Sequence, residues 1–420
     1  MTTSRRLYRG LTALLWPVLR WHAAREARRA GEPDYPAQRR GRYADTVRPG
    51  GLWVHAASVG EVRTVRPLLE ALQAARPGLA ITLTTSTPTG GQAARLIPGV
   101  QVLFLPLDRP RPVRRFLAAV RPEAGLVVET ELWPELFAAC RHQGVPLAIV
   151  NGRLSHRTLR APRLVLALYR EALAGVTVVL ARSEADAAGY RSLGAPAERV
   201  QVVGNLKFAG PAEAAAPAAV DLGRRYVLAA STHDDEELCL ASAWRAKGDT
   251  VPLLVIAPRH PQRGEALCQS LDRAGVRYAV RSRGEWPAAG DQVYLADTFG
   301  ELEGFMAGAE LVFMGGSLVP HGGQNLLEPA RLGRALLAGP HLHNFADEAA
   351  LLEGCGALQQ VEDAHAVARI AQAWLADPDA LAARGRRGRA EVVARADMAR
   401  RYLDALAEWS LPCLNRGHEG

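Results

Sequence analysis

Carboxylates placed directly behind apolar, β-branched runs are the residues of this chain most able to do chemistry. Glu61 follows the run Leu52 to Ala56 through the short loop Ala57, Ser58, Val59, Gly60, at the mouth of a helical pattern. A carboxylate there serves as a general base or as a helix N-terminal acid held by the macrodipole, and the residues alone leave both open. Glu129 and Glu131 follow Leu126 to Val128; at i and i+2 of an extended stretch they share one face. A turn at Thr130 would leave one in the site while the other caps the next helix. Lys207, in GNLKF behind Val200 to Val203, suits a phosphate or a carboxylate. Of 51 basic residues only Lys207 and Lys247 are lysine, and the compact ammonium is not interchangeable with arginine at a tight site. Lys247 reads as a surface cation at a helix end. Thr84 to Gly91 (TTSTPTGG), with Thr87 and Gly90, is a polar ligand loop or a plain turn, and Asn151 to Ser155 (NGRLS) brings Arg153 behind another strand.

The second half repeats this placement. Ser231, Thr232 and His233, and then Pro258, Arg259 and His260, stand at strand ends, where an arginine suits a bidentate phosphate contact or a structural salt bridge. From Glu310 to His341 a strand runs into Gly315, Gly316 and Ser317, and Gly322 and Gly323 lead to a helix expected to open at Gln324 or Asn325, with Glu328 in its first turn. Glycines allow close backbone approach and a helix N-terminus attracts anions, so the segment is expected to cradle a phosphate or nucleotide; a capped helix in an ordinary crossover is the alternative. No GxxxxGK[ST], HExxH or GxSxG motif occurs, and no DxD follows a strand, which points to metal-free chemistry without a cofactor. Five scattered cysteines suggest neither a disulfide framework nor structural zinc, hence a reducing setting.

What must hold these residues is an alternation of short apolar runs and longer helical patterns, such as Glu61 to Ala75 with Val62, Val65, Leu68, Leu69 and Leu72 on one face. It predicts α/β architecture with parallel sheets covered by helices on both sides. With 420 residues, two domains are expected: 49–208 and 221–420, each Rossmann-like and doubly wound, joined by an alanine- and proline-rich linker at 209–220. Such domains bind ligands at the carboxyl ends of their strands, which predicts a cleft between the two sheets.

Residues 1–48 form a separate basic arm. They hold eleven arginines against four acids, so most of the net charge of +8 is local and a nucleic-acid partner is not expected. The apolar run Leu11 to Leu19 is too short for a hydrocarbon core that needs about 20 helical residues. An amphipathic segment lying on an anionic membrane through residues 1–30, with Trp16 and Trp21 at headgroup depth, fits. Competing readings are a twin-arginine export signal, which Pro17 and Arg20 interrupt, and a helix packed on the protein's own body.

Taken in order, HAASVGE, TTSTPTG, LPLD, ETELWP, NGRLS, GNLKF, STHDDEE, APRHPQR, DTFGEL, GGSLVPHGGQNLLEPA and GPHLHNF resemble the Kdo (3-deoxy-D-manno-octulosonic acid) transferases of lipopolysaccharide assembly, over about residues 5 to 375. The resemblance implies a GT-B glycosyltransferase with CMP-Kdo as donor and a lipid A precursor as acceptor, at the cytoplasmic side of the inner membrane. It assigns Glu61 as general base in an inverting attack, and Glu129 and Lys207 to transition-state stabilisation. It gives Pro258, Arg259, Phe299, Gly300, Glu301, Asn325, Leu326, Leu327 and Glu328 to the cytidine nucleotide, the Phe299 to Glu301 triplet on resemblance alone. Ser58, Gly60, Thr87, Gly90, Arg153, Ser231, His233, Gly316 and Ser317 are the further substrate-loop candidates. Where the family pattern is His-Asn-Pro-Leu-Glu, this chain has Gln324 to Glu328 as QNLLE, which keeps the Asn and Glu and alters the helix entry. A soluble nucleotide-sugar epimerase of the same architecture, and a silent membrane-binding member, are the alternatives; the basic arm stands against the first and the intact Glu61, Glu129, Lys207 and Arg259 against the second.

Overall fold

Runs of aliphatic residues buried on both faces can only be satisfied inside a parallel sheet covered by helices, and the chain makes two. The computed structural model describes residues 2–210, 217–248, 251–409 and 411–415. In the first sheet, β1 (Leu52–His55), β2 (Ile81–Thr85), β3 (Val100–Phe104), β4 (Ala124–Val128), β5 (Leu147–Gly152), β6 (Val178–Ala181) and β7 (Val200–Val202) lie in the order β3-β2-β1-β4-β5-β6-β7, all parallel. In the second, β8 (Tyr226–Thr232), β9 (Leu253–Pro258), β10 (Tyr278–Val280), β11 (Val293–Leu295), β12 (Leu311–Met314), β13 (Ala335–Ala338) and β14 (Leu358–Gln360) lie in the order β10-β11-β9-β8-β12-β13-β14, again parallel. The alternation expected from the sequence is thus realised, except that β14 carries no signal a sequence pattern could use, two of its three residues being exposed glutamines.

In both sheets the chain order reverses beside the first strand: β1 lies between β2 and β4, and β8 between β9 and β12. Strands on either side of such a reversal send their following loops to opposite faces and leave a crevice at their carboxyl ends. Two irregularities of register occur near these ends. One lies between Ile149 and Gly152 of β5, the other between Ala230 and Thr232 of β8. Each contains a non-glycine residue in the left-handed region, Asn151 (φ 52°) and Ser231 (φ 53°), the mark of a bulge that re-aims a side chain.

The chain divides into two compact units, Met1–Gly210 with Asp397–Gly420, and Pro211–Ala396. The expected boundaries had assigned the chain's end to the second domain. It belongs to the first because Met398, Tyr402 and Leu406, four residues apart along the helix Met398–Ala407, are buried in the core that Leu52, Val54 and Leu126 build with Val62, Val65 and Leu69. The Tyr402 hydroxyl also donates to the Gly204 carbonyl at 2.8 Å. Of the expected linker, residues 211–216 lie outside the described residues.

The basic arm opens with two helices, Thr3–Leu14 and Trp16–Ala30, followed by the short helix Tyr35–Gln38. Its arginines do not all face solvent. Arg5 and Arg9 pair with the buried Glu135 at 2.9 and 2.7 Å, Arg5 also meets Glu171 at 3.1 Å, and Tyr8 donates to Asp108 at 2.9 Å. Ala23 and Ala27 are buried beside Tyr35 and Phe104. The opposite side exposes Leu7, Leu11, Leu14, Leu15, Val18 and Trp21. Packing on the body and an outward apolar row coexist in one segment, and no helix among the described residues is long and apolar enough to cross a membrane.

Candidate active site

In the first unit, the crevice beside β1 is bordered by Glu61, from the helix that follows β1, and by Glu129, the first residue beyond β4. Ser58 caps the helix Val59–Ala75, and the Glu61 side chain folds back on the residues that precede it. The Glu61 amide donates to the Ser58 Oγ at 3.3 Å, and the Ser58 hydroxyl donates to Glu61 Oε1 at 3.1 Å. The Ala57 amide donates to Glu61 Oε2 at 2.8 Å. These bonds favour the ionised carboxylate but do not decide its state. Burial is the larger influence, Glu129 and Glu131 add like charge, and the Glu61 carboxyl is pushed up to about 8. A capping acid has no need of such a value; a proton acceptor working near neutrality does.

Glu129 is held in the left-handed region (φ 58°). Its amide donates to the Val150 carbonyl at 3.0 Å and its carbonyl accepts from the Tyr190 hydroxyl at 2.8 Å, so the strained backbone is pinned from both sides. Glu131 has a different task from the helix capping considered for it. Its Oε2 accepts from Trp133 Nε1 at 2.8 Å and lies 3.7 Å from Nε2 of the buried His55. Burial raises the Glu131 carboxyl, but the His55 ring and the Trp133 N–H outweigh it, leaving it below the usual carboxylate range. The helix Pro134–Gln143 is capped instead by Asp108 of LPLD, whose oxygens accept from the Glu135 and Leu136 amides at 3.0 and 2.8 Å.

Lys207 sits half-buried in the turn Leu206–Phe208. Two asparagines set that turn: Asn205 Oδ1 accepts from the Lys207 amide at 3.1 Å, and the left-handed Asn151 accepts from the Leu206 amide at 2.9 Å. Thr87 caps the helix Pro88–Ala94 by accepting from the Gly90 amide at 3.1 Å, and the Ser86 amide donates to the Ala57 carbonyl at 3.0 Å, tying this loop to the one before Glu61. Gly60 is exposed and open. The Arg153 carbonyl accepts from the Thr130 hydroxyl.

The second unit corrects the expected phosphate cradle. The amides of Gly316, Ser317 and Leu318 do converge, but on the chain's own Glu236, at 2.6, 3.0 and 2.9 Å; the His233 amide donates to the same carboxylate at 2.9 Å. Glu236 is buried, and Ser317, fully buried, donates to the Met314 carbonyl while accepting from the Gly339 amide at 2.7 Å. The helix entry differs too: it is a five-residue helix, Leu327–Arg331, opening at Leu327 rather than at Gln324 or Asn325. Asn325 sets the turn that leads into it, accepting from the Leu327 amide at 3.1 Å and donating to Glu328 at 2.9 Å. Gly322, at φ 90°, holds a backbone conformation that side-chain-bearing residues rarely adopt, next to the side chains of His343 and Asn344.

What this loop leaves facing outward is Arg259 and a set of rings. Arg259 is exposed, its amide donates to the Thr232 carbonyl at 2.9 Å, and its guanidinium forms no ion pair among the described residues. His233 stacks on His321 at 4.3 Å, meets His260 edge-on at 5.9 Å, and shares a 3.1 Å contact with Gln324. Burial, then the neighbouring His321, lower the His233 pKa, which disfavours its charged form. Phe299 is 80% exposed and borders a cavity of about 360 Å³ with Pro261, Gly264 and Asp297. Glu301 is held by Arg281 at 2.6 Å and by Thr298, which leave its pKa below the usual range. Sequence reasoning missed Glu236, His321 and Gln324 as organising residues; of the four acids in HDDEE, nothing local singles one out.

Two doubly wound parallel sheets, each with candidate groups at its switch point, are the architecture of GT-B proteins. The family model described as 3-deoxy-D-manno-octulosonic-acid transferase (kdotransferase) matches residues 35–210. The chain is 37% identical to the 3-deoxy-D-manno-octulosonic acid transferase of Bordetella pertussis, over 96% of this chain and 97% of that one. It is 33% identical to the enzyme of the same name from Haemophilus influenzae, over 88% and 90%. Among solved structures, UDP-GlcNAc 2-epimerase from Neisseria meningitidis superimposes with a TM-score of 0.57, covering 86% of this chain and all of that one at 13% identity, a likeness of fold alone. The chain belongs to the Kdo transferase family and is a glycosyltransferase.

Proposed function

We propose that the protein transfers Kdo from CMP-Kdo to a lipid A precursor in lipopolysaccharide biosynthesis, with inversion and without a metal. The observation that carries this reading is the Glu61 carboxyl, bordering the β1/β4 crevice and poised near pH 8 by burial and by Glu129 and Glu131. In the proposed step an acceptor hydroxyl attacks the anomeric carbon of Kdo and its proton passes to Glu61. The bond from that carbon to the CMP phosphate oxygen breaks, and the electron pair leaves with CMP. Arg259, exposed and without an ion pair among the described residues, is suited to receive the phosphate in a bidentate contact. Glu129 and Lys207 act on the transition state, the first unit takes the acceptor and the second the donor, with Pro258, Phe299 to Glu301 and Asn325 to Glu328 at the nucleotide. The arm through residues 1–30 would rest on the cytoplasmic face of the inner membrane, its outward Leu7, Leu11, Leu14, Val18 and Trp21 in the interface.

The test is CMP release from CMP-Kdo with and without a tetra-acylated lipid A precursor, followed by mass spectrometry of the lipid. Acceptor-dependent release with a mass gain of one or more Kdo units is expected. Release without acceptor and without a mass gain would refute the transfer.

A further inference from the structure

The first unit also contains a feature suited to an anion, lined by none of the side chains assigned above to catalysis or to the nucleotide. An open cavity of about 660 Å³ is lined by Trp16, prolines and seven arginines, with no acidic side chain in its wall. Arg20 comes from the helix Trp16–Ala30, Arg40 and Arg42 from the later part of the arm. Arg109 caps the helix Pro110–Val120, and Arg111, Arg114 and Arg115 project from that helix's first turns. We propose that this cavity binds the phosphate of a lipid headgroup, a phosphomonoester in preference to a phosphodiester.

Three observations carry it. Two arginines of the arm, Arg5 and Arg9, are neutralised internally by Glu135. None of the seven here has a carboxylate partner among the described residues, so like charges face one another with no counter-charge from the chain. The strain registers at Arg40, whose pKa is lowered by burial and then by Arg20 and Arg42. Second, Arg109 is held in place although a donor is left unmet: its guanidinium lies 4.7 Å over the Trp16 ring while its Nε is buried without a hydrogen-bond partner. Third, the helix Pro110–Val120 opens with no side-chain cap and no acid in its first turn. A volume of this order matches a small-ligand site, and guanidinium forks select oxygen-rich phosphates. The lipid source follows from the neighbours: the helix pair that supplies Trp16 and Arg20 also exposes Leu7, Leu11, Leu14, Leu15, Val18 and Trp21, an apolar row suited to acyl chains. In this last respect the proposal rests on the interfacial reading of the arm.

The experiment uses the full chain with phosphatidylcholine vesicles carrying either phosphatidic acid or phosphatidylglycerol at matched zeta potential, together with calorimetric titration of inorganic phosphate. The protein is expected to bind the phosphatidic acid vesicles about tenfold more tightly. The triple variant R111K/R114K/R115K keeps every charge but loses the forks, and is expected to bind both vesicles equally; the three residues are exposed, so its thermal midpoint should match the parent's. No preference in the parent, or a preference retained by the triple variant, overturns the cavity while leaving the interfacial arm standing. Failure of the parent to bind any anionic vesicle overturns the arm reading and the lipid source with it. Inorganic phosphate bound as tightly as the phosphatidic acid vesicles overturns the lipid source alone.

Discussion

Glu61 and Glu236 occupy corresponding places in the two units: each lies in the opening turn of the helix that follows the first strand of its sheet, beside the reversal of strand order. Their surroundings differ. Glu236 is buried and receives four backbone N–H donors, three of them from the loop after β12. Glu61 is half-buried and receives one backbone N–H and one hydroxyl, while burial and two further carboxylates raise it to about 8. A carboxylate saturated by fixed donors is a structural anion that organises a loop. One that is desolvated with few donors keeps a labile proton. On the proposed function, the same topological position serves architecture in one unit and chemistry in the other, and burial together with the number of donors separates the two.

The hardest test of this contrast is Glu61→Gln. Turnover should fall about 10²- to 10⁴-fold, the range of a lost general base, with CMP-Kdo affinity unchanged by direct titration; near-normal CMP release would reduce Glu61 to a cap like its counterpart. Glu236→Ala should act through stability instead. It strands buried donors and should cost about 3 kcal/mol, seen as a lower thermal midpoint of the second unit's transition, and an undisturbed midpoint would erase the contrast. Arg259→Ala should weaken donor binding about 10- to 100-fold, with Arg259→Lys recovering only part because the fork is lost; equal affinity of the parent and both variants would remove the arginine from the nucleotide site.

Dependence on pH sharpens the comparison further. Glu61 accepts a proton only when ionised, so the rate should climb as pH rises toward about 8 and level above it. Because Glu131 contributes like charge, Glu131→Gln should move that limb to lower pH by a fraction of a unit; movement upward would contradict the arrangement. Stability runs the opposite way. A folded-state value near 8 against the ordinary 4.5 means folding favours the protonated acid, so this contribution is complete below about 4.5 and is lost as pH rises through 8. Glu61→Gln cannot ionise, and its thermal midpoint relative to the parent should improve from pH 5 to pH 9.

Much of the fold was legible because buried parallel strands announce themselves as short aliphatic runs, and their order along the chain placed Glu61, Glu129, Lys207, Ser231 and Arg259 at strand ends before any coordinates. β14, with its two glutamines, had no such signature. The destination of the last helix was equally silent. Its stripe of Met398, Tyr402 and Leu406 shows that one face is buried but not in which core. The arm displayed both its basic and its apolar character in sequence, yet only packing divided its arginines into those paired with Glu135 and those left facing the cavity.

The glycine loop marks the limit most clearly. Gly315, Gly316 and Ser317 have the same local pattern whether their amides await a ligand or already hold an internal carboxylate, and the residue that settles it, Glu236, lies 80 positions earlier. By itself the sequence determined the alternation of elements, the residues at the strand ends and the motif order that marks the family. The tertiary structure decided which of those residues are free to react, because desolvation, donor count and neighbouring charge are set by groups brought together from different strands.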